Sequence, residues 1–124
     1  MEQHAIAIIG LGRVGTFFLR RMLEHKDKNI RVAAVVEPKE TEGRRLAAEH
    51  SIPVVSLDDL VDMGEEVDII FELTGNADLR LDLRNRLFNA MNSHTVLVPE
   101  SVAHLFSKFL GPGEFPDVHT SKGY

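Results

Sequence analysis

The stretch whose reading decides the fold is His4-Ala5-Ile6-Ala7-Ile8-Ile9-Gly10-Leu11-Gly12-Arg13-Val14-Gly15. Residues 4–9 are apolar after His4 and make a short buried strand that stops at Gly10. Behind the glycines, Val14, Phe17, Phe18 and Met22 recur at helical spacing, which predicts a helix over 13–24. In such a strand-turn-helix, Gly10 permits the tight turn, Gly12 has no side chain to hold a phosphate away, and Gly15 lets the helix lie close to the strand. The amides of Gly12, Arg13 and Val14 then face an anion at the positive end of the helix, with the Arg13 side chain on the rim. Glycine is common, so the spacing alone is a weak signal; its weight comes from the strand before it and the helix after it. The alternative is a structural turn with an incidental anion site.

Working outward, residues 30–36 (IRVAAVV) form a second strand, nearly apolar on both faces, as a parallel sheet covered by helices requires. Residues 41–49 predict a short helix, weakened by Gly43. Residues 52–55 (IPVV) predict a third strand, with donor-less Pro53 at its beginning or on the sheet edge. Ser56 and Asp59 have capping spacing for a helix over Leu57, Leu60 and Val61. A fourth strand follows at 67–73, then the turn Thr74-Gly75-Asn76, with Asn76 capping a helix that runs to about Met91. A fifth strand at 95–98 and a helix over 101–110, capped by Ser101, complete the alternation. The expectation is an α/β three-layer sandwich of the Rossmann type with a five-stranded, mostly parallel sheet in the order 3-2-1-4-5. Residues 1–110 form the domain and 111–124 a flexible or partner-packed tail.

The 124 residues suffice for one domain and fall short of the two-domain plan of most nicotinamide-dependent dehydrogenases. With no cysteine, neither a disulfide scaffold nor a thiol catalyst can form. A formal charge of -5 argues against a surface that coats nucleic acid. No apolar run approaches a membrane span, and the N-terminus carries an acid where a secretion signal carries base, so a cytoplasmic location is expected. Six scattered histidines form no metal-ligand pattern. Residues 56–72 hold seven acids and no base, read as a solvated helix and loop.

Glu37 stands at the end of the second strand, 22 residues after Gly15, where a carboxylate accepts hydrogen bonds from the adenosine ribose hydroxyls. An acid there repels a 2'-phosphate, which favours NAD; Lys39 and Arg44 keep NADP as the alternative. Thr74, Gly75 and Asn76 line the other half of the crevice, although Asn76 is explained equally well as a helix cap. Glu72 interrupts an apolar strand and needs partners, with bracing of the turn one of its roles. Glu100 and Ser101 lie at the end of the last strand, where substrate-handling groups would begin; His94 and His104 lie near it, neither with an evident orienting acid, and no catalytic residue is assigned.

GLGRVG at 10–15, VVE at 35–37, VDIIFELTGN at 67–76 and NSHTVLV at 92–98 together resemble the N-terminal nucleotide-binding domain of homoserine dehydrogenases. They are similar, too, to the related glucose–fructose oxidoreductase and dihydrodipicolinate reductase families. The resemblance implies that Gly10, Gly12, Gly15 and Glu37 contact the cofactor, with Thr74 and Gly75 beside the nicotinamide. It also exposes departures. The Glu-Lys-Pro or Asn-Lys that those families carry after the fifth strand is replaced by Pro99-Glu100-Ser101, and their substrate domain has no counterpart here.

Hydride transfer needs a held substrate and a proton carrier, and the chain offers a cofactor shelf without the latter. The leading expectation is therefore a small NAD(H)-binding module with a sensory or regulatory role, as a homodimer or with a partner protein. The alternatives are a split or minimal NAD(P)-dependent oxidoreductase for an aldehyde or semialdehyde, completed by a partner chain, and a structural domain with a vacant cleft.

Overall fold

The computed structural model describes residues 3–110 and Pro116. The expected tail at 111–124 otherwise lies outside the described residues. The elements are β1 (His4–Ile9), α1 (Arg13–Glu24), β2 (Ile30–Val36), α2 (Glu42–Glu49), α3 (Leu57–Asp62), β3 (Ile69–Glu72), α4 (Ala77–Asn89), β4 (Val96–Pro99) and α5 (Glu100–Ser107). Every strand pair is parallel, so each crossover carries a helix that covers the sheet.

β1 is central and shows how the layers form. Its Ile6 and Ile8 enter one core with Val14, Phe18 and Met22 of α1, Ala47 of α2 and Ala103 of α5. Ala7 and Ile9 enter the other with Leu60 of α3 and Leu83 and Leu87 of α4. The period-two alternation of a strand thus feeds two helical layers at once. Phe18 packs on Phe71 of β3 with ring centroids 4.5 Å apart. Full burial of side chains such as Phe18, Ile8 and Leu83 stabilises by roughly 1.5–3 kcal/mol each.

The sheet has four strands, in the order β2-β1-β3-β4, and not the five expected. Residues 52–55 make only an isolated parallel bridge, Val54 to Val35. The Val35 amide donates to the Pro53 carbonyl and the Val55 amide donates to the Val35 carbonyl, both at 2.9 Å. Extending that ladder backward would require a donor from Pro53, which has none. Extending it forward is prevented at Ser56, which leaves to cap α3 by accepting the Asp59 amide at 3.1 Å. Its contact with β2 is therefore limited to those two bonds.

The last helix differs as well. α5 begins at Glu100, with Pro99 at its cap position and no side-chain cap bond. Ser101 therefore falls inside the first turn and does not cap the helix. At the opposite end of the sheet from the glycine turn, Asp68 accepts from the Ala5 amide at 2.8 Å and pairs with His94 at 2.7 Å. That pair ties β1 to the loops before β3 and β4.

Candidate functional site

The site is built at the carboxyl ends of β1, β2 and β3. Gly10 has φ +94°, and a Cβ there would stand 2.8 Å from the Thr74 methyl carbon. It permits both the turn and the close passage of the 73–74 backbone. Gly15 packs against the turn itself, since a Cβ would come within 1.8 Å of the Gly10 carbonyl oxygen. Gly12 is different in kind: a Cβ would meet nothing within 4 Å. The protein does not need the missing side chain for its own packing, so the space in front of Gly12 is open to something else.

Gly12 is also the N-cap of α1, where no side chain caps the helix and no acid stands in the first turn. The first amides of a helix have no partner within it and carry partial positive charge. The amides at 12–14 therefore border open space at an uncapped helix start. Val14 itself is buried, so only its backbone serves there, and the exposed Arg13 sits on the rim of an adjoining hollow with Thr16, Arg20 and Thr41.

Glu37 is buried beside this turn. One carboxylate oxygen accepts the Leu11 amide at 2.7 Å and the other accepts the Lys39 amide at 3.0 Å. A carboxylate has about four acceptor positions, so two remain for hydroxyl groups. Gly10, Gly12, Glu37, Thr74 and Asn76 line one cavity of about 470 Å³, with Leu57, Leu79 and Val36 forming apolar wall and Lys39 and Thr41 on its margin. Gly75, with φ +73°, is buried and shapes the turn without lining the cavity. The walls from α3 and α4 escaped the sequence reading because no local pattern marks which helix faces a crevice.

Two of the expected polar contacts are committed inside the protein. Asn76 caps α4 by accepting the Leu79 amide at 3.1 Å. The Thr74 hydroxyl donates to Glu72 and accepts the Asn76 amide. Glu72, fully buried, also takes the Thr74 amide at 2.8 Å and has Arg80 at 3.6 Å. It braces the turn that forms the far wall of the crevice. Arg44 reaches the cavity margin by donating to the Glu37 carbonyl at 2.8 Å. Gly43 lets α2 approach α1, since a Cβ would lie 2.2 Å from the Thr16 hydroxyl oxygen.

Among the described residues no group of three or more His, Asp or Glu is placed to hold a metal ion, and no helix is long and apolar enough to cross a membrane. A parallel sheet, a glycine turn opening onto an uncapped helix and an acid at the end of the neighbouring strand define a Rossmann nucleotide-binding domain. The chain belongs to the GFO/IDH/MocA oxidoreductase family with an NAD-binding Rossmann fold, whose model matches residues 4–98. NAD is the cofactor of that fold, in agreement with the glycine and acid pattern.

Solved structures share the fold at low identity. A homoserine dehydrogenase from Thiobacillus denitrificans is 22% identical with a TM-score of 0.61, covering 89% of this chain and 26% of its own. GenD2 from gentamicin A biosynthesis, solved with NAD, is 17% identical with a TM-score of 0.57, covering 80% and 34%. RSP, solved with β-NAD⁺ and operator DNA, is 13% identical with a TM-score of 0.58, covering 86% and 55%. The chain thus spans between about a quarter and about half of the length of these proteins. No curated protein matches it in sequence.

Proposed function

We propose that the chain is the NAD-binding part of an oxidoreductase, whose substrate-handling groups come from another domain or chain. The observation that carries this is the open space at Gly12, bordered by the uncapped start of α1 and by Glu37 with two acceptor positions to spare. The amides at 12–14 would bind the pyrophosphate, with Arg13 adding charge from the rim and Gly10 and Gly15 holding the turn in shape. Glu37 would accept the adenosine ribose hydroxyls, and the 74–76 turn would border the nicotinamide half. When bound, the cofactor supplies hydride chemistry; the residues described here bind and orient it.

Glu72 acts behind that surface by fixing the turn, while Asn76 lines the cavity and caps the helix after it. The chain spans only part of the length of the solved structures that share its fold, which supports reading residues 1–110 as the cofactor unit rather than as a complete catalyst for an aldehyde or semialdehyde. Family membership supports this reading over a sensory or regulatory module, for which no residue of the site argues.

Isothermal calorimetry of the chain with NADH, NADPH and AMP is the direct test. Saturable binding with NADH tighter than NADPH is expected, because the Glu37 carboxylate disfavours a 2'-phosphate. Absence of binding by all three would remove the proposal. The oxidoreductase assignment itself is tested by hydride transfer to an aldehyde panel once the completing protein is added.

A further inference from the structure

The carboxylate proposed to meet the ribose also shapes the glycine turn. Every peptide group at the start of that turn is tied down. The Gly10 amide donates to the Val36 carbonyl at 2.9 Å, the Thr16 hydroxyl donates to the Leu11 carbonyl at 3.1 Å, and the Leu11 amide donates to Glu37 at 2.7 Å. The peptide unit joining residues 10 and 11 is planar and trans, so its N–H and C=O point in opposite directions. Holding the N–H on Glu37 therefore aims the Gly10 carbonyl oxygen the other way, toward Gly15, where α1 passes too close for a Cβ. The Leu11 side chain is fully buried with Val14 and Phe18. With both its amide and its side chain held, Leu11 sets the direction in which residues 12–14 present their amides.

Glu37 is in turn held from its own side. Its other carboxylate oxygen takes the Lys39 amide at 3.0 Å, and its carbonyl takes the Arg44 guanidinium of α2 at 2.8 Å. The acceptor thus reaches the turn from a fixed base.

We infer, on the strength of the NAD-binding reading above, that Glu37 is a positioning residue for the pyrophosphate as well as a contact for the ribose. The acceptor at position 37 sets the turn so that the amides at 12–14 converge on one anion. Two opposed effects meet in this side chain: its charge repels a pyrophosphate, while its oxygen orders the donors that bind one. Substitution separates them. Glutamine keeps an acceptor oxygen and loses the charge; alanine keeps neither. The single carbonyl oxygen of glutamine must choose between the Leu11 and Lys39 amides. The Leu11 bond is buried and the Lys39 bond only partly so, so Leu11 is the donor that costs more to leave unpaired and the one the glutamine serves.

Inorganic pyrophosphate has no hydroxyl group for Glu37 to meet, which makes it the probe. Calorimetry of the parent chain should show binding of both NADH and inorganic pyrophosphate. Glu37→Ala should bind pyrophosphate at least about tenfold more weakly than Glu37→Gln, the factor expected for the lost hydrogen bond, with far-ultraviolet circular dichroism showing both variants folded. A ribose contact alone would leave the two variants equal toward pyrophosphate and weaken only NADH. If Glu37→Ala does not fold, Glu37→Asp is compared with the parent instead: the charge stays, the acceptor is drawn back by one methylene, and pyrophosphate should again bind about tenfold more weakly. Equal pyrophosphate binding within the pair compared, or a parent chain that takes NADH and not pyrophosphate, would overturn the inference and leave the NAD assignment standing. A parent chain that takes no NADH would remove both.

Discussion

Gly12 and Gly15 belong to one motif, yet replacing each by alanine should do opposite things. At position 15 the new methyl group would stand 1.8 Å from the Gly10 carbonyl oxygen, where ordinary contact begins near 3.4 Å. Helix α1 would have to retreat by about 1.6 Å, the difference between those distances, and interiors packed this densely do not yield so far without loss. Gly15→Ala should therefore cost about 3 kcal/mol or more, seen as a fall in Tm on the order of 10 °C. At position 12 nothing lies within 4 Å, and exchanging glycine for alanine at a helix cap costs within about 1 kcal/mol. The methyl group would instead occupy the space proposed for the pyrophosphate, weakening NADH at least about tenfold, or roughly 1.4 kcal/mol. Thermal melts and calorimetry on both variants separate the two effects. A Gly12→Ala chain that binds NADH as the parent does, or a Gly15→Ala chain with the parent Tm, would refute this division of labour.

Further outcomes follow from the remaining contacts. Glu72→Ala removes a buried carboxylate from Thr74 and Arg80 and should lower stability by about 3–5 kcal/mol; urea unfolding measures it, and a loss under 1 kcal/mol would mean the carboxylate is dispensable. Asn76→Ala deletes the α4 cap and should cost about 1 kcal/mol, checked by the same unfolding curves. The Ala5 amide and His94 hold Asp68 below its ordinary 3.8, and Asp68 in turn raises His94 above 6.5. The His94 contribution is complete below 6.5 and is lost as pH rises through its elevated folded value. The Asp68 contribution is complete above 3.8 and is lost as pH falls through its depressed one. His94→Gln should accordingly flatten the alkaline side of a Tm profile taken between about pH 5 and 9, and an unchanged profile would show that the pair contributes nothing.

The strand, glycine turn and first helix were legible in the sequence because hydrophobic period and backbone permissiveness change together between Ile9 and Val14. β2 and Glu37 were legible for a similar reason, an apolar run closed by an acid and a proline. Residues 52–55 misled because their composition is that of a strand while their capacity for ladder bonds is limited by Pro53 and by the departure at Ser56. Gly43 read as a cost in helix propensity, whereas its use is the close passage of α2 over Thr16 and Leu11. That is a tertiary relation with no local trace. Ser101 looked like a cap because its residue type suits one, but Pro99 starts the helix earlier. Which helices wall the crevice, and that Glu72 meets Arg80, emerge only once the crossovers are laid down.

The bond from the Leu11 amide to Glu37 at 2.7 Å has a bearing on engineering. The same carboxylate that, under the proposed function, would discriminate between dinucleotides also anchors the glycine turn from beneath. Redesigning this chain for phosphorylated nicotinamide dinucleotide by simply neutralising or shortening that side chain would strand a main-chain donor and slacken the loop. A successful conversion would need a replacement acceptor for Leu11 built in alongside any new cationic contact.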